Sequence, residues 1–144
     1  MDFFSAMKIG ASGLTAQRQR MDTIASNLAN IETTRTPEGG PYKRKDVMFA
    51  ALPLDPFTTT FNDALADQVR QVKVTEVVED QSAPTMVFNP NHPDANAEGY
   101  VAMPNINLME EMVNLINATR SFEANIQSVN AAKSMALRAI DLGR

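Results

Sequence analysis

The sequence predicts a mainly α-helical fold in which long N- and C-terminal helices form an antiparallel, coiled-coil-like hairpin with a small loop-rich β insert. Two patterns carry this reading. All eight prolines (Pro37, Pro41, Pro53, Pro56, Pro84, Pro90, Pro93 and Pro104) lie in the middle of the chain, leaving helix free to run at both ends. Each end also carries apolar residues at a seven-residue period, the pattern of a helix that packs along another helix. Three segments follow: an N-terminal helix over residues 1–32, an insert over 33–105 and a C-terminal helix over 106–144.

In the first segment Met7, Leu14, Met21 and Leu28 recur every seven residues, and Ile24 and Ile31 fill the three-residue offset. Gly10 and Gln17 hold that offset nearer the start. Gly10 and Gly13 each cost about 1 kcal/mol against Ala in a helix interior, so the front of this helix is expected to fray when alone. The last segment is more regular. Leu108, Met112, Leu115, Thr119, Phe122, Ile126, Val129, Lys133, Ala136 and Ile140 step alternately by four and three. Asn107 suits the N-cap with Glu110 three positions on, and Gly143 suits the stop. At 1.5 Å per residue the helices would span roughly 40 and 50 Å, and a partly polar seam of that length calls for partner helices. The positions expected at the assembly interface are Leu14, Met21, Ile24, Leu28 and Ile31, with Met112, Leu115, Phe122, Ile126, Val129 and Ile140.

Between the helices the β-branched run Val69, Val72, Val74, Val77 and Val78 predicts a strand. Residues 47–52, 58–61, 85–88 and 100–103 are weaker strand candidates. Residues 61–70 read equally well as a short helix. Segments 36–41 and 89–98 read as surface turns, with the Gly39-Gly40 pair marking a tight one.

The chemistry the sequence can support is limited. Nine Met, seven Phe, two Tyr and no Trp leave few rigid anchors, so the core is expected to be thin or shared. A net charge of -4 does not favour nucleic acid, and the cluster Lys43, Arg44 and Lys45 is too small to reverse that. With no Cys there is no disulfide, thiolate site or Cys nucleophile. No unbroken apolar core marks a signal peptide in residues 1–10, and no stretch approaches the 18 apolar residues of a membrane span. The single histidine, His92, lies among turn residues and reads as solvated. Asp94, Asn96 and Glu98 alternate without the glycine and terminal glutamate of a calcium loop. Glu110 and Glu111 fall in a first helical turn, where the backbone dipole favours them. Met109, Met112 and Met135 read as seam filling. Asn27, Asn30, Asn114, Asn117, Asn125 and Asn130 support two readings, a solvated face or amides that fix register between helices. No cofactor, metal site or catalytic set is expected.

The stretch Ala25-Ser26-Asn27-Leu28-Ala29-Asn30-Ile31-Glu32-Thr33-Thr34, followed by Gly40-Pro41-Tyr42-Lys43, resembles the N-terminal signature of bacterial flagellar rod and hook proteins. A C-terminal counterpart is similar in Met112-Val113-Asn114-Leu115-Ile116 and in Arg120-Ser121-Phe122-Glu123-Ala124-Asn125, continuing to Lys133-Ser134-Met135. Phe122 stands where that family often has Tyr. On this resemblance Asn27, Ala29, Asn30, Tyr42, Glu123, Ala124 and Asn125 are family-motif positions. Residues 39–45 and 92–105 narrow the likeness to proximal-rod members. The resemblance implies a structural, non-enzymatic subunit of the proximal rod in the flagellar basal body. Such a subunit is exported by the flagellar type III apparatus without a cleaved signal peptide. It polymerises with copies of itself and other rod subunits into the torque-transmitting drive shaft across the periplasm. The alternatives are another axial subunit of the rod or hook junction, and a soluble coiled-coil adaptor or export chaperone.

Overall fold

The computed structural model describes residues 3–53 and 70–143. Two long helices frame the fold, α1 (Phe3–Ala29) and α2 (Leu108–Leu142). Between them lie two antiparallel strand pairs: β1 (Lys45–Pro53) with β2 (Arg70–Glu79), and β3 (Thr85–Phe88) with β4 (Tyr100–Met103). The strand candidate at 58–61 lies outside the described residues, as does the helix candidate at 61–70 except for Arg70, which begins β2.

Helix α1 is unbroken through Gly10 and Gly13. Both glycines are close-approach points. A Cβ at Gly10 would lie 2.5 Å from Val129 Cγ2, and one at Gly13 would lie 3.0 Å from Asn125 Nδ2. The propensity lost at these positions is offset by the contact with α2 that a bare backbone allows. The helix ends without a glycine. Instead, the Asn30 side-chain amide and backbone N–H both donate to the Ser26 carbonyl, at 2.8 and 3.2 Å. Ile31 consequently lies past the helix, in the turn that follows.

Helix α2 is capped by Asn107, whose side chain accepts from the Met109 and Glu110 backbone N–H groups at 3.0 and 3.5 Å. Its contacts with α1 run in descending order. Gly10 meets Val129, Gly13 meets Asn125, Met21 meets Thr119 and Asn27 meets Glu111. The α2 positions not exposed to solvent are Glu111, Asn114, Leu115, Ala118, Phe122, Asn125, Val129, Ala132 and Ala136. Leu115, Phe122, Val129 and Ala136 belong to the sequence-derived stripe. Its other members, Leu108, Met112, Thr119, Ile126, Lys133 and Ile140, are exposed, and Glu111, Ala118, Asn125 and Ala132 take the inward places one residue before the middle four. Small side chains there let the helices come together, which large apolar ones would prevent.

The first sheet packs on α1 through both strands. Pairing places Met48 opposite Glu76 and Phe49 opposite Val74, so Thr75 is the extra residue of a bulge. Its hydroxyl donates to the Met48 carbonyl at 3.1 Å. In the second hairpin the long loop is organised by Asn96, whose side-chain oxygen accepts from the Glu98 and Tyr100 N–H groups at 3.0 and 2.8 Å. Gly99 in that loop has φ +83° and abuts the Phe88 ring, a place for glycine on both counts. Gly39 and Gly40, at φ +91° and +79°, form the tight turn expected there.

The core is thin. Among the described residues the buried apolar side chains are Ala16, Ile24, Val47, Val101 and Ala118. Half-buried Leu14, Met21 and Leu28 of α1 and Leu115, Phe122 and Val129 of α2 add to this core, and the glycine contacts between the helices are testable. Gly10→Ala gains about 1 kcal/mol of helix propensity but overpacks against β-branched Val129, which costs about 1–3 kcal/mol. The expected result in chemical denaturation of the full chain is a lower midpoint. Gly13→Ala meets only the movable end of Asn125 and should leave the midpoint unchanged or raise it.

Candidate assembly interface

The helices leave α2 with a second apolar face. Met109, Met112, Val113 and Ile116, at 69, 46, 54 and 51 % exposure, recur at intervals of three and four residues. That interval places them on the side of α2 away from Glu111, Leu115 and Ala118. Nearer the C-terminus Ile126, Met135, Leu137, Ile140 and Leu142 are exposed as well. In α1, Phe4 and Met7 are exposed, Leu14, Met21 and Leu28 are half-buried, and Ile24 is buried. The sequence-derived interface set therefore falls in two groups. Leu14, Met21, Ile24, Leu28, Leu115, Phe122 and Val129 are buried or half-buried, Ile31 is half-buried beyond the helix end, and Met112, Ile126 and Ile140 are exposed.

Of the family-motif residues, Ala29, Glu123 and Ala124 are exposed and Asn30, Tyr42 and Asn125 are half-buried. Asn27 is fully buried. Its side-chain oxygen accepts the Lys45 N–H at 2.9 Å, and its amide nitrogen donates to the Lys45 carbonyl at 2.8 Å. The Tyr42 hydroxyl donates to the same oxygen at 3.2 Å, and the amide also donates to Glu111 Oε2 at 3.3 Å. Glu111 is itself 1 % exposed and accepts from Arg44 Nε at 2.8 Å. One network thus joins α1, the start of β1 and the first turn of α2. Burial alone would lower the Arg44 pKa, but the hydrogen bond and charge of Glu111, aided by Asp46, hold it above the usual guanidinium value. The guanidinium is therefore a fixed cation facing a buried carboxylate.

Glu111 lies in the first turn of α2, as the sequence predicts, and its carboxylate also points into the protein. Sequence reasoning missed both Glu111 and Arg44 because 67 residues separate them. A usable signal was present: Glu111 occupies the same seven-residue phase as Ala118, Asn125 and Ala132, and a charge in a stripe of small residues needs a partner.

His92 is half-buried in its turn, where Nδ1 accepts the Asp94 N–H at 3.1 Å. Asp94 accepts from the Thr34 hydroxyl at 2.8 Å and so ties this loop to the turn after α1. Among the described residues no group of three or more His, Cys, Asp or Glu could hold a metal ion. None of the described helices is long and apolar enough to cross a membrane.

Residues 7–35 match the family profile of the flagella basal body rod protein, and residues 97–142 match that of the flagellar basal body rod FlgEFG protein C-terminal. The flagellar basal-body rod protein FlgC of Bacillus subtilis (strain 168) is 42% identical over 151 residues, covering 100% of both chains. The chain belongs to the FlgC family of flagellar basal-body rod proteins. The FlgC protein of Borreliella burgdorferi is 42% identical over 94% of this chain and 93% of its own. That of Escherichia coli O6:H1 is 40% identical over 100% of both. As a member of the FlgC family the chain is a structural rod subunit of the flagellar basal body, and it associates with other rod components.

The buried amide can be tested by near-isosteric replacement. Asn27→Asp removes both side-chain donors and sets a second carboxylate beside Glu111, so we expect a loss of about 3–5 kcal/mol in denaturation of the full chain. Asn130→Asp, on an exposed position of α2, should stay within about 0.5 kcal/mol of the parent.

Proposed function

We propose that α1 and α2 act together as an antiparallel, coiled-coil-like hairpin that lines the proximal rod. In this reading residues 1–32 and 106–144 are the assembled part, and 33–105 form a β-containing projection. The exposed apolar face of α2 carries the reading. A monomer rarely leaves so many large apolar side chains in water, and each one buried in a neighbour is worth about 1.5–3 kcal/mol. Most of the seam, Leu115, Phe122 and Val129 with Leu14, Met21, Ile24 and Leu28, closes the hairpin within one subunit. The exposed members, Met112, Ile126 and Ile140, meet neighbouring subunits, some of them copies of this chain. Such contacts are heterologous, using different surfaces on the two partners, so they build an open helical shaft that can transmit torque. The subunit reaches that site through the flagellar type III export apparatus without a cleaved signal peptide, in the part of the rod that crosses the periplasm. It has no enzymatic role.

Ile126 is the sharpest test, being 38 % exposed on the subunit and in phase with Met112 and Ile140. Ile126→Asp should leave the free subunit's stability within about 1 kcal/mol of the parent. In the rod it would bury a carboxylate, a penalty of several kcal/mol per contact. We expect normal secretion of the variant and few or no completed rods, counted by electron microscopy in a strain lacking the protein. Normal rod numbers would remove Ile126 from the interface. Asn130→Asp in the same assay should assemble.

A further inference from the structure

We infer that Glu111 sets the axial register of α2 against α1, acting through Asn27 and Arg44. The inward stripe of α2 repeats itself: Ala118, Asn125 and Ala132 recur every seven residues, as do Leu115, Phe122, Val129 and Ala136. Opposite them Gly10 and Gly13 offer no side chain that would block a shift. Sliding α2 by seven residues, about 10 Å, therefore exchanges similar side chains for one another and apolar packing discriminates weakly. The second hairpin holds the position weakly, because neither β3 nor β4 packs extensively on a helix and a single hydrogen bond, Thr34 to Asp94, ties its loop to the turn after α1.

The polar network does discriminate. Asn27 holds both backbone groups of Lys45, which fixes Arg44 relative to α1 before α2 is considered. In the observed register Glu111 accepts from Arg44 and from Asn27 at once. Displaced by seven residues one way, Asn27 would face Ala118; displaced the other way, it would face Pro104. Neither supplies a carboxylate, so the half-buried guanidinium and the buried Asn27 amide would each lose a partner. Buried polar groups that select one register among similar apolar ones are a known use of such groups in helix pairs.

The absence of cysteine makes register directly readable. Met21→Cys with Thr119→Cys reports the observed register, since these side chains meet at 3.6 Å. Met21→Cys with Met112→Cys, or with Ile126→Cys, reports the two displaced ones. Each pair is oxidised in basal bodies carrying the chain, and the intramolecular disulfide is quantified by mass. Recovery of the parent chain in basal bodies establishes the rod role first, so failure of the register lock reads out separately. We expect the parent to favour the Met21–Thr119 product at least tenfold. Arg44→Met with Glu111→Leu leaves no charge unpaired and should erase that preference. Arg44→Glu with Glu111→Arg re-forms the ion pair, though not the Asn27 bond to residue 111, and should restore the preference in part. An unchanged preference in the apolar pair would overturn the proposal, because a network that only stabilises has no influence on which register forms. If the apolar pair builds no rods, the exchanged pair decides. Rods that favour the Met21–Thr119 product support the lock, whereas no rods, or a displaced product, overturn it.

Discussion

Both ends of the Asn27 carboxamide are bonded to the backbone of Lys45, and the arrangement of the subunit follows from that pair of hydrogen bonds. They join the last turn of α1 to the first residue of β1 as a neighbouring strand would. With β1 anchored, Arg44 is carried into contact with Glu111, and α2 is joined to the same point. Removing the amide would leave the three segments to a thin core, because the buried apolar side chains are few and either small or β-branched.

A polar hub in a thin core suits a part made for assembly. Apolar burial is non-directional and grows with area, so a subunit that keeps much of its apolar surface for neighbours holds its own shape weakly. Hydrogen bonds with a buried carboxylate contribute less net stability, but they are directional and tolerate few alternatives. The division of labour is visible along α2. Its first turn carries the buried Glu111 on one side and exposed Met109, Met112 and Val113 on others. One turn of helix thus serves both the internal fold and the outer surface.

Much of this architecture was legible from local patterns. The proline-free ends gave the two helices, and β-branched runs gave β1 to β4, with β3 and β4 at the expected residues. The phase of α2 was legible only in part, since hydrophobicity ranks Met112 and Ile126 above Ala118 and Asn125. Close helix contact selects size instead, and a periodicity count carries no information about distance. The same limitation applies to Gly10 and Gly13, which a propensity scale reads as weak points and the fold uses as contacts. The asparagines occupy different kinds of place: Asn27 is a buried amide bonded to β1 and α2, Asn30 a helix terminator, and Asn130 a solvated side chain. Only the partner distinguishes them, and the partner is distant in sequence.

The free edges of the first sheet bear on how such a subunit survives before it is assembled. A two-stranded sheet exposes unpaired N–H groups on both outer sides, each an invitation to edge-to-edge aggregation with another chain. Here three of the outer donors are met by side chains. Asn27 takes the Lys45 N–H, Asp46 takes its neighbour's at Val47 (2.8 Å), and Ser12 on α1 takes that of Val72 (3.2 Å). No third strand can dock at these positions without displacing a bond already made. At those three positions the sheet offers an incoming strand no free donor, beside helices that leave apolar side chains exposed.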